Sequence, residues 1–506
     1  MVLEMAADGM GERVAVGARK DGLTYRGLLE QARRVAAVVA ESGTERLVSV
    51  GRNSALLPAL LFGSGLAGVP FVPVNYRLAD DELRAILSRT APAVAVVDDD
   101  AVGRVADVDG LTVLSPAALQ ARAEAATPAE AAFADPDAIA VLLYTSGTTG
   151  EPKVAVLRHR HLASYVISTV EFMGAGDDHA ALVSVPPYHV AGIATILTSV
   201  YGGRRLVYLP QFDPDRWVDL ARDEDITHAF VVPTMLGRIL DVLEARGPGG
   251  PGVSPGGAVL PSLVHLAYGG GRMPAPVLER ALRLLPTVGF VNAYGLTETA
   301  STIATLGPDD HRAAVESDDP AVRARLGSVG RPLPALELEI RDVDGKPLAA
   351  GERGEIWVRG EQVAGEYVGR SALTGDGWFR TNDGGWLDEG GFLFVEGRLD
   401  DVIVRGAENL SPGEIEDTLL THPAVAEAGV VGVPDDEWGE TVAAAVVLEP
   451  GAAASVQELQ GWVRNRLRSS RTPTRIEFRA ELPYNETGKL LRRVLRRELS
   501  SPPAGG

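Results

Sequence analysis

The sequence predicts an α/β protein with a large N-terminal domain of layered α/β subdomains and a small α+β domain at the C-terminus. Short apolar runs of strand length alternate with longer amphipathic runs, which is typical of parallel sheets covered by helices. The chain has 506 residues, more than one ordinary hydrophobic core accommodates. A new strand–helix–strand unit begins near Asp400, so we predict domains at residues 1–398 and 399–506.

The spacing of apolar residues defines the elements in order. Residues 24–40 have the period of an amphipathic helix. Residues 53–76 lack charged side chains, but their glycines and prolines favour a helix, a turn at Gly68 and a buried strand over a membrane span. We predict strands at 47–50, 94–97, 139–143, 206–209, 402–404 and 443–448, a helix at 412–420, and a solvent-exposed basic helix face at Arg492, Arg493, Arg496 and Arg497.

The composition excludes several classes of protein. A formal net charge of −20 argues against a nucleic-acid binder, which would present a basic face. The absence of cysteine excludes disulfides, a cysteine nucleophile and cysteine-ligated metal. The N-terminus shows no charged segment followed by an apolar core, so we expect no signal peptide and a cytoplasmic protein. We expect a monomer or a homodimer.

One loop has the residue types of a polyphosphate site. The sequence Thr145-Ser146-Gly147-Thr148-Thr149-Gly150-Glu151-Pro152-Lys153 follows the apolar run at 139–143. Its glycines let backbone N–H groups approach an anion, its hydroxyls add neutral donors, and its lysine adds a mobile positive charge. The spacing differs from the Walker A loop. The alternative interpretation is a polar surface turn.

A second string combines hydroxyl and carboxylate side chains at the end of a strand. Residues 290–298 form an apolar run that enters a tight turn at Tyr294-Gly295-Leu296-Thr297-Glu298, preceded by Asn292. Open α/β sheets bind ligands at the carboxyl ends of their strands. This indicates Tyr294 against a nucleobase, Thr297 on a phosphate and Glu298 on Mg²⁺, which prefers one or two carboxylates together with phosphate oxygens. The alternative is an ordinary helix cap.

Both strings resemble motifs of the adenylate-forming enzymes, the superfamily of acyl-CoA synthetases, adenylation domains and firefly luciferase. The resemblance runs from about residue 23 to Lys489 and is closest to the stand-alone acyl-CoA synthetases. Further matching segments follow in the family's order: Pro186–Gly192 with His189, Ala267–Gly271, Thr381-Asn382-Asp383, Gly397–Asp401, Gly406-Ala407-Glu408-Asn409 and Pro483–Lys489.

The resemblance implies a role for each of these segments. His189 would border the acyl pocket, and Lys489 would reach the reacting groups from the C-terminal domain. Asp400 would be the hinge on which that mobile domain rotates. The remaining implied contacts are adenine and acyl group at Gly269, Gly270 and Gly271, ribose at Asp383 and Arg398, and the CoA tunnel at Gly406 and Ala407.

The resemblance further implies an ATP-dependent carboxylate–CoA ligase that acts in two steps, with ATP, Mg²⁺ and CoA as co-substrate. The sizes of the expected pocket residues, which include His189 and Gly269 to Gly271, suggest an apolar fatty or aryl acid. No cationic residue stands out as a recogniser for a second carboxylate. Alternative acceptors of the acyl group are a carrier protein, an amine or another unusual nucleophile, because Ala407 replaces the usual second glycine of the tunnel loop.

Two other classes of protein are less consistent with the sequence. The intact Glu298, Asp383 and Lys489 argue against a regulatory nucleotide-binding protein that has lost catalysis. The absence of a G-x-S-x-G elbow argues against a serine hydrolase.

Overall fold

The structure is a computed structural model that describes residues 1–129, 135–145, 153–247, 259–406, 408–435, 437–485 and 488–500. Its strands, in chain order, are β1 Val14–Val16, β2 Leu23–Thr24, β3 Leu47–Val50, β4 Phe71–Val74, β5 Ala93–Val97, β6 Leu111–Leu114, β7 Ile139–Thr145, β8 Lys153–Arg158, β9 Ala180–Val183, β10 Arg205–Tyr208, β11 His228–Val231, β12 His265–Gly269, β13 Gly289–Leu296, β14 Ser301–Leu306, β15 Arg331–Pro332, β16 Glu337–Arg341, β17 Gly354–Arg359, β18 Glu366–Tyr367, β19 Arg370–Ser371, β20 Phe379–Leu387, β21 Leu393–Arg398, β22 Ile403–Arg405, β23 Glu408–Leu410, β24 Val425–Asp435, β25 Gly439–Leu448 and β26 Arg475–Phe478.

The helices are α1 Val2–Met10, α2 Tyr25–Glu41, α3 Leu57–Leu66, α4 Asp80–Thr90, α5 Val102–Val105, α6 Pro116–Ala125, α7 His159–Thr169, α8 Val190–Gly202, α9 Pro214–Asp223, α10 Pro233–Arg246, α11 Ala275–Leu284, α12 Pro308–Glu316, α13 Pro320–Ala324, α14 Pro412–Leu420, α15 Val456–Arg464 and α16 Arg492–Ser500. Short 3₁₀ turns occupy Thr297–Thr299, Arg325–Gly327, Leu399–Asp401 and Ser469–Arg471. Local sequence explains many helix starts. The Thr24 hydroxyl caps α2 by accepting the Gly27 N–H at 3.1 Å, and proline begins α9, α10 and α14.

Two large sheets and a shared helical layer form the N-terminal part of the molecule. The first sheet has the order β15-β14-β13-β12-β11-β9-β10-β1-β2, and the second has the order β19-β18-β8-β7-β4-β3-β5-β6. The first sheet is parallel in its middle and antiparallel at both edges. The second sheet is antiparallel on its β19 side and parallel from β7 to its other edge at β6. Helices α1, α2, α3, α7 and α8 pack between the sheets, whereas α9–α11 and α4–α5 cover their outer faces.

The alternation of side chains along each strand explains this layering. In β3, Leu47 joins the core between the two sheets, whereas Val48 and Val50 join the core under α4. All four residues of this strand are buried. The sequence of such a strand is mostly apolar without alternation, because both faces of the sheet are covered.

The C-terminal part contains two smaller sheets. A four-stranded antiparallel sheet has the order β16-β17-β20-β21 and ends at Arg398. Beyond the turn Leu399–Asp401, a further sheet has the order β23-β22-β25-β24, with β26 parallel to β25. Helices α14 and α15 pack on one face of this last sheet and α16 packs on the other.

The predicted fold class is confirmed. The predicted helices at 24–40 and 412–420 appear as α2 and α14. The prediction of a solvent-exposed basic face on α16 is wrong for Arg492, which is largely buried and has an Nη2 atom 2.8 Å from Glu416 Oε2. The reason is that α16 packs against β24, where Arg492 also donates to the Val430 carbonyl at 2.6 Å. In the described ranges, no helix has both the length and the apolar character that crossing a membrane requires.

Candidate active site

The carboxyl end of β13 opens into a large cavity of about 1720 Å³. Thr297 and Glu298 lie in the 3₁₀ turn that follows this strand. Only glycine fits at position 295, because a Cβ atom there would lie 1.8 Å from the Ser301 carbonyl oxygen. Of the residues singled out in the sequence, the cavity is lined by Thr145, Lys153, His189, Gly270, Gly295, Thr297, Glu298, Arg398, Asp400 and Lys489.

A tyrosine that the sequence analysis missed holds the Glu298 carboxylate. The Tyr367 hydroxyl donates to Glu298 Oε1 at 2.6 Å. Burial, and then the neighbouring Glu298 charge, raise the pKa of Tyr367, so the phenol keeps its proton. The Lys153 ammonium nitrogen lies 5.7 Å from the centroid of the same ring. Tyr367 is in register with Ala155 across the β8–β18 pair, and this pairing brings the tyrosine to the site.

We expect Tyr367→Phe to weaken the apparent affinity for Mg²⁺ in pyrophosphate release by about tenfold, because the carboxylate loses the partner that fixes its orientation. The measurement is a Mg²⁺ titration at saturating ATP. Tyr201→Phe is the control, because its ring packs against Phe172 and does not line the cavity. An unchanged Mg²⁺ dependence in Tyr367→Phe would contradict the positioning role.

The Asp383 carboxylate is buried between two groups that hold it in place. Tyr294 donates its hydroxyl proton to Asp383 Oδ2 at 2.6 Å, and Arg398 Nη1 lies 3.4 Å from Oδ1. Burial raises the pKa of Asp383, whereas the Tyr294 hydrogen bond and the charges of Arg398 and Lys489 oppose that rise. A carboxylate held in this way can accept the hydroxyls of a ribose. Contacts of Tyr294 with a base and of Asp383 and Arg398 with a ribose stay predictions.

His189 contributes an uncharged imidazole to the cavity wall. It precedes the first residue of α8, and its ring lies 4.8 Å from the Tyr188 ring. Its Nε2 atom is buried and has no hydrogen-bond partner among the described residues. Burial lowers the pKa of His189 to about 4, so the ring stays neutral near pH 7. A buried polar atom without a partner is costly and is satisfied when a ligand supplies one.

The lowered pKa of His189 makes the free energy of unfolding depend on pH. Below pH 6.5 the unfolded chain binds a proton at this position while the folded protein does not, so the free energy of unfolding falls as the pH drops. We expect a contribution of up to about 1.4 kcal/mol per pH unit between pH 6.5 and 4. Urea denaturation at pH 7 and pH 5 measures the loss. His189→Gln should reduce the difference between the two pH values, and an identical difference in the variant would contradict this pKa.

The C-terminal lysine reaches the cavity through a tight hairpin. The Asn485 backbone N–H donates to the Lys489 carbonyl at 2.9 Å, and Asn485 Oδ1 accepts the Lys489 N–H at 2.8 Å. Gly488 has a φ of +70° and lies against Thr234, where a Cβ atom would come within 2.0 Å of the threonine hydroxyl oxygen. The hairpin therefore requires glycine before the lysine, and Lys489 lines the same cavity as Glu298.

Polar contacts connect the final sheet to the rest of the molecule. Arg272 forms an ion pair with Asp417 of α14, and the Ser411 hydroxyl donates to the Glu396 carbonyl at 3.0 Å. These contacts and the Gly488 hairpin are present in the arrangement in which Lys489 lines the cavity. The Arg272–Asp417 ion pair is exposed, and such pairs contribute little to the free energy of folding.

Asn382 has a backbone conformation that glycine adopts most readily. Its φ of +58° is a left-handed conformation that asparagine adopts more readily than most residues. Its side-chain amide donates to Asp400 Oδ2 at 2.7 Å. The strand that carries Asp383 is therefore bonded to the predicted hinge.

Other predicted residues lie elsewhere or cannot be placed. Asn292 donates its amide to the Ser328 carbonyl at 3.1 Å and does not line the cavity. Gly406 has a φ of +62° and packs against Trp438. Gly269 and Gly271 flank the cavity residue Gly270. The predicted residues Ser146, Gly147, Thr148, Thr149, Gly150 and Ala407 lie outside the described residues.

The donor set suits a metal that arrives with a phosphate ligand. Within the described ranges, no group of three or more carboxylate or imidazole side chains is arranged to hold a metal ion. Glu298 supplies one carboxylate at the cavity wall. A single carboxylate together with substrate phosphate oxygens and water matches the coordination that Mg²⁺ prefers.

Comparison with known proteins gives matches over nearly the full chain. Residues 3–368 match the AMP-binding enzyme family, and residues 414–489 match the AMP-binding enzyme C-terminal domain. The fatty acid–[acyl-carrier-protein] ligase ScoC of Streptomyces coeruleorubidus is 34% identical over 497 residues, which cover 94% of this chain and 91% of that protein. The 2-succinylbenzoate–CoA ligase of Geobacillus kaustophilus is 34% identical over 495 residues, covering 96% and 95%.

The fold also matches solved structures. The o-succinylbenzoate coenzyme A synthetase MenE from Bacillus subtilis, in complex with ATP and magnesium ion, superposes with a TM-score of 0.82. The two sequences are 28% identical, and the match covers 99% of each chain.

Proposed function

Because this chain belongs to the AMP-binding enzyme family, we propose that it is an AMP-forming carboxylate–CoA ligase. In the first step, a carboxylate oxygen bonds to the α-phosphorus of ATP, the bond to the β-phosphate breaks, and pyrophosphate leaves. In the second step, the sulfur of CoA bonds to the carbonyl carbon of the acyl-adenylate, and AMP leaves. The protein forms no covalent intermediate in either step.

One observation carries the proposal: Lys489 lies in the same cavity as Lys153, His189 and Glu298. Two cations and one carboxylate suit a reaction that brings an anionic acid to an anionic polyphosphate. Phosphoryl and nucleotidyl transfer depend on positioning and on neutralising charge more than on covalent chemistry. The side chains of this cavity can both position the reactants and neutralise their charge.

We assign the residues of the first step as follows. Lys489 lies between the acid and the α-phosphate and offsets their mutual repulsion. Lys153 and Thr145, at the mouth of the β7–β8 hairpin, hold the leaving phosphates together with residues 146–150, and Thr297 binds a phosphate oxygen. Glu298 would hold Mg²⁺, which would supply charge neutralisation at the phosphates. Neutral His189 borders the acid.

The division into domains belongs to this proposal. We assign residues 1–398 to the AMP-binding domain and 399–506 to a mobile C-terminal domain whose hinge is Asp400. In the arrangement described above, Lys489 is in the cavity, which suits adenylation. Rotation about Asp400 would withdraw Lys489 and bring the Gly406 loop, with its CoA tunnel, to the acyl-adenylate.

The test is a mass-spectrometric screen with ATP, Mg²⁺ and a panel of fatty, aryl and dicarboxylic acids, each with and without CoA. We expect acyl-CoA and AMP from the accepted acid, and acyl-adenylate when CoA is omitted. If no acid in the panel yields an adenylate or pyrophosphate, the proposed function is refuted.

A carrier protein is the second candidate acceptor. The match to ScoC, a fatty acid–[acyl-carrier-protein] ligase, favours it, since that protein is as similar to this chain as the CoA ligase. The same screen with phosphopantetheinylated carrier protein, or with an amine, in place of CoA separates these acceptors. Acyl transfer to the carrier protein without transfer to CoA would replace the first candidate by the second.

A further inference from the structure

The end of the cavity away from Glu298 contains an arginine whose guanidinium has no partner among the described residues. Arg204 precedes β10 and lines the cavity. In the described part of the chain, its guanidinium forms no ion pair and no hydrogen bond, and its Nε atom is buried. Tyr25 is the neighbour whose negative charge would stabilise it, but burial raises the pKa of that phenol, which stays neutral.

Two other arginines with little exposed surface, Arg205 and Arg492, are paired. The next residue, Arg205, places Nη1 2.6 Å from Glu224 Oε2 and donates to the Gly17 carbonyl at 2.7 Å. Arg492 pairs with Glu416 in the C-terminal part. A guanidinium withdrawn from water without a counter-ion is unfavourable, and a ligand anion is one way to compensate it.

Histidines lie beside this arginine at the ends of two parallel strands. His228 begins β11, His265 begins β12, and their rings are 5.2 Å apart. Thr227 Oγ1 lies 2.8 Å from His228 Nδ1, which fixes the ring. Burial lowers the pKa of His228 to about 3, and the charge of Arg204 adds to this shift. This end of the cavity is therefore polar, and Arg204 supplies a positive charge there.

The wall between the two ends is apolar. Along β12, Ala267 lines the cavity between His265 and the glycines at the end of the strand, and Phe230 of β11 lies beside it. Leu266 and Tyr268 face the opposite side of the sheet. Because a strand advances about 3.3 Å per residue, the four steps from His265 to Gly269 span about 13 Å.

These observations fit an elongated acid that is anionic at both ends. We infer that the preferred acid carries a second carboxylate, about 13 Å from the reacting one, which Arg204 binds beside His228. This inference rests on the proposed function. It revises the expectation of a wholly apolar acid: the body of the acid is apolar, and its far end is charged. Arginine suits this role because its planar fork matches the geometry of a carboxylate.

The test compares matched acids in two assays. The binding assay is calorimetry with α,β-methylene ATP, an analogue that cannot release pyrophosphate. The acids are straight-chain α,ω-dicarboxylic acids of ten to fourteen carbons, their monomethyl esters and the monocarboxylic acids of equal length. The second assay measures pyrophosphate release with ATP. We expect the best diacid to bind at least about tenfold more tightly than its monoester and its monoacid.

The variants are Arg204→Met, Arg204→Lys and the control Arg283→Met, whose exposed arginine lies on α11. Arg204→Met should lower the affinity for the diacid by about ten- to a hundredfold and leave the monoacid unchanged. Arg204→Lys should recover part of that loss, and Arg283→Met should match the wild type. The same pattern should appear in kcat/KM for pyrophosphate release.

The outcomes distinguish the inference from the function on which it rests. If the wild type binds every monoacid as tightly as the matched diacid, or if Arg204→Met weakens both kinds of acid equally, the inference is overturned. Tighter binding of the monoester than the diacid would also overturn it, because the far group would then be neutral. If monoacids support pyrophosphate release and diacids do not, the proposed function still holds, but the inference of a second carboxylate is refuted.

Discussion

Replacing Lys489 with alanine should lower the rate of acyl-adenylate formation by about a hundred- to a thousandfold, the usual effect of removing one preorganised group that stabilises developing charge. Thioester formation from preformed acyl-adenylate and CoA should stay close to the wild-type rate, because Lys489 leaves the site before that step in the proposed mechanism. Single-turnover measurements of the two half-reactions, each started separately, test this expectation.

Lys346→Ala is the matched control for this variant. Lys346 is exposed in the turn between β16 and β17 and does not line the cavity. Its substitution removes the same charge from the protein without changing the site, so both half-reactions should proceed at the wild-type rate. An equal loss in both half-reactions of Lys489→Ala would contradict the assigned role of this lysine.

Asp400→Pro should retain adenylation and lose thioester formation. The turn Leu399–Asp401 has 3₁₀ geometry, in which proline's fixed φ is tolerated. A different backbone conformation at the hinge would cost about 3 kcal/mol or more, which corresponds to at least about a hundredfold in the rate of the second half-reaction. Quenched-flow measurement of acyl-CoA formation, with pyrophosphate release measured in parallel, separates the two steps.

Asp400→Ala is the control for the hinge. Alanine removes the side-chain bond from Asn382 but keeps the freedom of the backbone. If rigidity causes the loss, Asp400→Ala should form acyl-CoA at a rate much closer to the wild type than Asp400→Pro. Unchanged overall turnover in Asp400→Pro would refute the hinge.

Local sequence signals predicted the elements and several residues that line the cavity. Residues 412–420 form α14 because proline starts the helix and its apolar residues repeat at helical spacing. Thr297 and Glu298 could be located because they follow an apolar strand at the edge where open α/β sheets bind ligands. These inferences need only neighbouring residues and general rules of chain geometry.

Contacts between distant segments could not be predicted in this way. Tyr367 and Glu298 are 69 residues apart, and Tyr294 and Asp383 are 89 residues apart. Nothing in either local segment indicates that these side chains meet. Arg492 was assigned to a solvent-exposed face for the same reason, since its partner Glu416 is 76 residues away.

Arg204 shows a further limit of sequence reasoning. It stands next to Arg205, and the two arginines form one basic pair in the sequence. The structure pairs Arg205 with Glu224 and leaves the Arg204 guanidinium on the cavity wall. The different surroundings of Arg204 and Arg205 become visible only when β10 is packed against its neighbouring elements. The sequence alone therefore could not separate the arginine for which we infer a role in substrate binding from an arginine with an ordinary structural ion pair.

The central claim is that a carboxylate oxygen of the acid attacks the α-phosphorus of ATP. The most direct test is complete turnover with an accepted acid labelled with ¹⁸O in both carboxyl oxygens, followed by mass spectrometry of the nucleotide and pyrophosphate. We predict AMP that carries one ¹⁸O atom and pyrophosphate that carries none. Unlabelled AMP, or label in the pyrophosphate, would contradict the mechanism.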